Sequence, residues 1–124
     1  MRVLICGDRN WSDLQRIVDV LETIQKTAKI DCIIEGGARG ADHLGYSAAL
    51  QLGIPTTRVD ADWEHYGRAA GPIRNRQMLD MVPDVVLAFH DHIAESKGTR
   101  DCITEARRRH IPVEIYMIVG TVDV

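Results

Sequence analysis

Short apolar runs alternate with segments of helical hydrophobic period along the whole chain, and this alternation constrains the fold more than any other feature. Arg2 to Cys6 is a brief apolar run that stops at Gly7. Leu14, Ile17, Val18, Leu21 and Ile24 then recur at helical spacing, which predicts a helix from about Asp13 to Thr27. Ser12 with Gln15 three positions on reads as its capping box. Asp31 to Glu35 is a second strand. Leu44, Ala48 and Leu52 mark the packed face of a second helix, which Gly53 and Pro55 terminate. Thr56 to Val59 is a third, more polar strand. Gly71-Pro72 opens another helix, with proline suited to a first turn, and Pro83 closes it. Asp84 to Phe89 is the most apolar strand, as expected at the centre of a sheet covered on both faces. Gly98-Thr99 starts the last helix, Pro112 stops it, and Val113 to Val119 is the fifth strand. Five strands alternating with four helices predict one α/β domain over residues 1–124. The sheet is parallel and doubly wound, in the order 3-2-1-4-5, with helices on both faces.

The same topology says where to look for a site. In doubly wound sheets, ligands bind outside the carboxyl ends of the strands, near the switch in strand order. Here that rim gathers the loops Gly7 to Asn10, Gly36 to Asp42 and His90 to Thr99. The second loop, Gly36-Gly37-Ala38-Arg39-Gly40-Ala41-Asp42, stands between a buried strand and a helix start. Glycines there let a ligand approach the backbone amides, and the helix end behind them favours an anion such as phosphate. A tight turn that binds nothing is the alternative.

Composition limits the function classes. The 124 residues carry a net charge of −3, so no overall basic field draws the chain to nucleic acid or to a membrane surface. No apolar run approaches a membrane span, and the N-terminal stretch lacks the plan of a signal peptide. Cys6, Cys32 and Cys102 are odd in number and widely spaced, which suits reduced, buried thiols in a cytoplasmic protein.

Individual side chains carry competing readings. Asp60 to Ala70 shows neither period and holds Asp62, Trp63, His65, Tyr66 and Arg68, a composition suited to a binding loop. Trp63 either stacks on a base or anchors the loop. Arg74, one turn into its helix, offers a planar fork for a phosphate, with a surface ion pair as the alternative. Asp42 complements the helix dipole, or else holds a ribose hydroxyl or a bridging divalent metal; Asp62 shares that ambiguity. His90 and His92 flank Asp91 at a metal-ligand spacing, but two histidines without further partners define no metal site. Lys97 and Arg100 flank Gly98-Thr99 and could close over an anion or remain solvated. Arg107, Arg108, Arg109 and His110 fall in the last turn of a helix, where cations offset the dipole.

Taken together, Gly36 to Asp42, Ala61-Asp62-Trp63, Gly67 to Asn75, Pro83-Asp84 and Ser96 to Thr99 resemble the YspA-type branch of the SLOG superfamily, a set of small Rossmann-like proteins. The resemblance runs from Met1 to about Val113 and implies a three-layer Rossmann-like domain. It also implies a nucleotide, or a nucleotide-derived signalling ligand of the ADP-ribose or NAD kind, bound at the carboxyl edge of the sheet. Gly7, Arg9, Gly36, Gly37, Ala38, Arg39, Gly40, Asp42, Asp62, Trp63, Arg68, Arg74, Asn75, Lys97, Gly98 and Thr99 are the binding candidates. Such a protein would sense or sequester its ligand; no cofactor beyond that ligand is assigned, and a divalent metal bridging the phosphate stays open as an alternative. Superfamily members are often oligomers, which implies a homo-oligomer here.

The superfamily also contains the LOG enzymes, which hydrolyse nucleoside 5′-monophosphates at the N-glycosidic bond. Their R-K-x-x-M signature aligns with Arg74-Asn75-Arg76-Gln77-Met78, asparagine standing for lysine. Their P-G-G-x-G-T-x-x-E signature aligns with Glu95 to Cys102, where Gly98 and Thr99 match and Cys102 replaces the glutamate. The alternative function is therefore a phosphoribohydrolase using Arg74 and an acid among Asp42, Asp62, Asp101 and Glu105. DprA-type members suggest single-stranded DNA as a third ligand by analogy of fold alone, against which the acidic balance counts.

Overall fold

The structure, a computed structural model, describes residues 1–118 and 121–123. Its elements are β1 (Arg2–Gly7), α1 (Leu14–Gln25), β2 (Cys32–Glu35), α2 (Ala41–Leu52) and β3 (Thr56–Arg58), followed by α3 (Trp63–Tyr66), α4 (Ala70–Asp80) and β4 (Val85–Phe89). Then come α5 (Lys97–Arg108), β5 (Val113–Tyr116) and β6 (Thr121–Asp123). The sheet runs β3-β2-β1-β4-β5-β6. The first five strands are parallel in the expected order, and β6 adds an antiparallel edge, Ile115 lying opposite Val122.

Alternation along the central strands sorts the core into two halves. Val3, Ile5, Val85, Leu87 and Phe89 point to one face and pack with Ile17, Val18 and Leu21 of α1 and Ala48 and Ala49 of α2. Leu4, Cys6, Val86 and Ala88 point to the other and meet Met78 and Leu79 of α4 and Cys102, Ile103 and Ala106 of α5. Every residue of β4 is buried, as a strand covered on both faces requires.

The structure refines these expectations at several places. The five expected parallel strands are all present, and β6 adds a sixth that the sequence pattern does not announce; Val119, placed in the fifth strand from sequence, lies outside the described residues. The N-cap of α1 is Asp13, whose carboxylate accepts the Arg16 amide at 3.0 Å, not Ser12. The packed face of α2 carries Leu44, Ala48 and Leu52 as expected, the two leucines half-buried against the core, and Ala41, Gly45 and Ala49 extend it. A Cβ at Gly45 would stand 2.9 Å from Ile5 Cγ2, so that helix lies too close to β1 for large side chains. Finally, residues 60–70 contain the single turn α3, capped by Asp62 through the His65 amide at 3.1 Å, and a following 3₁₀ turn. One turn is too short to leave a period in sequence.

Candidate functional site

Three loops are tied together at the carboxyl rim. Asp8 N donates to Phe89 O at 2.9 Å and Ala41 N donates to Asp8 O at 2.9 Å, so the loop after β1 bridges its neighbours. Thr99 Oγ1, at the start of α5, donates to Gly7 O at 3.2 Å. Gly7 is fixed by sterics: its φ is +152°, and a Cβ would fall 2.2 Å from Phe89 O.

Between these loops lies a cavity of about 400 Å³. It is bordered by Gly7, Arg9, Ala38, Arg39, Asp42, Arg74, Asn75, Lys97, Gly98 and Thr99, and also by Cys6, Asp8, Asn10, Met78, His90, Ser96 and Cys102. Four cations, Arg9, Arg39, Arg74 and Lys97, face two acids, Asp8 and Asp42, so the balance favours an anion. A second cavity, also about 400 Å³, shares Arg9, Ala38, Arg39 and Arg74 with the first and adds Gly36, Gly37, Asp60, Ala61 and Trp63. Trp63 is 52% exposed.

The glycine loop holds its own anions. Asp42, 6% exposed, accepts the amides of Gly36 at 3.2 Å and Ala38 at 3.3 Å. Burial pushes its carboxyl up to about 6, against the pull of Arg74 and of those two amides. Glu35, fully buried, takes the Gly37 amide at 2.7 Å and pairs with Arg58 Nε at 2.5 Å. Arg58 in turn lies over the Tyr46 ring, 5.2 Å from its centroid. Arg74 Nη1 donates to Gly36 O at 2.6 Å, and its Nε donates to Asn75 Oδ1 at 3.2 Å. A Cβ on Gly36 would come within 2.5 Å of Arg74 Nη1 and 2.9 Å of Asp42 Oδ2, so only glycine admits both.

The first cavity ends at α5. Ser96 caps that helix, its Oγ accepting the Thr99 amide at 3.2 Å. Asn75 Nδ2 reaches across from α4 to Gly98 O at 3.2 Å and Asp101 Oδ2 at 3.0 Å. Cys6 and Cys102 share the cavity floor; a hydrogen bond between their thiols and their burial push the Cys6 pKa well up, which keeps that thiol protonated. All three cysteines are free, with Cys32 half-buried.

Other candidates stand apart. Gly40, at φ +76°, caps α2 beneath Asp8 O, and its own atoms do not border either cavity. Asp62 is occupied as the α3 cap, and Arg68 is exposed in the 3₁₀ turn. Asp101 meets Asn75 and Arg76, while Glu105 meets Arg76, Arg108 and Arg109. Both acids therefore join α4 to α5 outside the cavities, and among the four acids considered only Asp42 borders one. Arg109 also pairs with Asp80 at 2.7 Å, so the basic end of α5 is spent on ion pairs as well as on the helix dipole. His90 Nδ1 accepts the His92 amide at 2.8 Å, which ties the two histidines to each other through the backbone. No group of three or more His, Cys, Asp or Glu side chains suited to a metal ion occurs among the described residues. No described helix is long and apolar enough to cross a membrane.

Sequence reasoning passed over Glu35 and the ligand-facing role open to His90. Each directly ends or follows an apolar strand at the rim, the position where a polar residue has least reason to be buried for packing alone.

Comparison with known proteins agrees with this architecture. The family described as "YspA, cpYpsA-related SLOG family" matches residues 1–66. "Gene 61 protein" of Mycobacterium phage D29 is 39% identical over 118 residues, covering 90% of this chain and 93% of that protein. The structure of DNA processing protein A (DprA) from Streptococcus pneumoniae superposes with a TM-score of 0.70 at 18% identity, over 98% of this chain and 51% of that one. This chain thus spans about half the length of that structure, and the likeness is one of fold. The profile match and the phage relative, with a Rossmann-like sheet and a glycine loop at its rim, show that this chain belongs to the YspA, cpYpsA-related SLOG family.

Proposed function

We propose that this chain binds a nucleotide or a nucleotide-derived signalling ligand of the ADP-ribose or NAD kind, as a sensor or sequestering module. The observation that carries the reading is the sharing of Arg9, Arg39 and Arg74 by two adjoining cavities. Guanidinium groups suit phosphate and pyrophosphate oxygens, and their place at the junction fits a ligand whose charge lies between two less charged ends. Each cavity falls within the usual size range of small-molecule sites, roughly 300–1,000 Å³. In this reading a phosphate lies toward the N-terminus of α5 and a base stacks on Trp63. The loop amides of Gly36, Gly37 and Ala38 position the rim through Asp42 and Glu35 and leave the phosphate to the arginines and α5.

Tryptophan fluorescence tests the base end. Of the two tryptophans, Trp11 is buried against Phe89 and Trp63 borders the second cavity. Titration with AMP, ADP-ribose and NAD should give a saturable emission change that disappears in W63F. Affinity in W63A should fall about 5- to 100-fold, the loss of one stacked base. Unchanged affinity in W63A would remove Trp63 from the site, and no binding by any of the three ligands would overturn the reading.

A further inference from the structure

His90 follows β4 at the rim and is 7% exposed. Its Nδ1 accepts the His92 amide at 2.8 Å, so that nitrogen carries a lone pair and the neutral ring carries its proton on Nε2. Nε2 finds no partner among the described residues, yet no fully covered side-chain nitrogen or oxygen there is left unsatisfied. Nε2 is therefore the open edge of the ring, and His90 is one of the residues that border the first cavity. A side chain more than nine-tenths buried whose one accessible donor has no partner within the chain is placed to meet an acceptor from outside it.

That cavity is closed on the same side by the start of α5, a 12-residue helix. The first amides of a helix lack intrahelical partners and lie at the positive end of its dipole. Thr99 N is taken by Ser96 Oγ, while Gly98 presents no side chain and its Cβ direction is open. Lys97 adds a positive charge beside them. The described residues offer no set of ligands for a metal at this place.

We infer that His90 is a ligand-binding residue whose Nε2–H donates to an oxyanion of the phosphate class seated at the N-terminus of α5. The identity of the whole ligand rests on the nucleotide reading above, whereas the oxyanion seat stands on His90 and α5 alone. The seat fixes the orientation of a nucleotide: a phosphate group lies on the α5 side of the first cavity, and the base in the second.

Histidine ring correlations in ¹⁵N-labelled protein, followed during titration with inorganic phosphate and then AMP, test this directly. His90 should appear as the Nε2–H tautomer, and its Nε2 resonance should move with saturation by either probe. H90N keeps an acceptor for the His92 amide but removes the Nε2 donor, so AMP affinity should fall about tenfold, as for one hydrogen bond to a charged group. H90Q, which restores a donor at similar reach, should recover part of that loss. If neither variant folds, the ring resonances of the wild type still decide. An Nδ1–H tautomer, or AMP binding that leaves the His90 ring unmoved, would overturn the inference while the nucleotide reading stood. Phosphate that moves the ring when no nucleotide binds would uphold the oxyanion seat and end the nucleotide reading. If neither probe binds, both fall.

Discussion

Asp42 is the residue on which the glycine loop turns, and its ionisation should be measurable in the stability of the whole chain. Burial lifts its carboxyl from 3.8 to about 6, despite Arg74 and two amides that favour the charged form. Between those values the folded protein binds the proton that the unfolded chain has released. The contribution is thus fully present below about pH 4 and is lost as pH rises through about 6, on the order of 3 kcal/mol for this one group. Urea midpoints of wild type and D42N, compared at intervals from pH 4 to 7, should diverge in that direction, with the wild type losing stability that the variant does not. Parallel curves would contradict the placement. The loop itself was legible, since three glycines between an apolar strand and a helix have few other uses. Which anion fills its amides was not. Nothing in the spacing of Asp42 reveals that its side chain turns back onto Gly36 and Ala38, and the competing readings of ribose or metal ligand rested on an open carboxylate.

At the level of elements, β2 and β3 are joined by more than their ladder. Glu35 closes β2 inside the protein, and Arg58 at the end of β3 supplies its counter-charge from a half-exposed position. Removing that partner leaves a buried carboxylate with only the Gly37 amide, although water reaching the vacated Arg58 position reduces the cost. R58A should therefore destabilise the fold by about 2 kcal/mol in chemical denaturation, and E35Q/R58A should recover part of the loss. R58A as stable as the wild type would show that the ion pair with Arg58 does not hold the fold at Glu35. The strong elements were readable because the long helices carry a helical period and the central strands are continuous apolar runs. The weak ones were not: α3 depends on its own Asp62 cap and β6 on its pairing with β5, with too few residues to announce themselves. Likewise Ser12 and Gln15 satisfy the capping pattern, yet Asp13 makes the bond and Gln15 turns instead to Asp19 at 2.7 Å.

For the whole molecule, strand order determines which side chains can meet. The order β3-β2-β1-β4-β5 brings the loops after β1, β2 and β4 to one rim, and α4 delivers Arg74 to their junction. The convergence of Arg9, Arg39, Arg74 and Lys97 followed from that topology and could be anticipated from sequence. The withdrawal of Asp101 and Glu105 into ion pairs between α4 and α5 could not, because it depends on the rotation of α5 about its own axis. With Asp62 used as a cap, the rim carries cations and hydrogen-bond donors in greater supply than acids, which suits holding a phosphorylated ligand. The most direct test is calorimetric titration of wild type and R74A with AMP, ADP-ribose and NAD, with circular dichroism to verify that R74A retains its fold. Saturable binding of at least one of the three, weakened about tenfold or more in R74A, or about 1.4 kcal/mol, is the predicted result. Absence of binding to the wild type, or equal affinity in folded R74A, would contradict it.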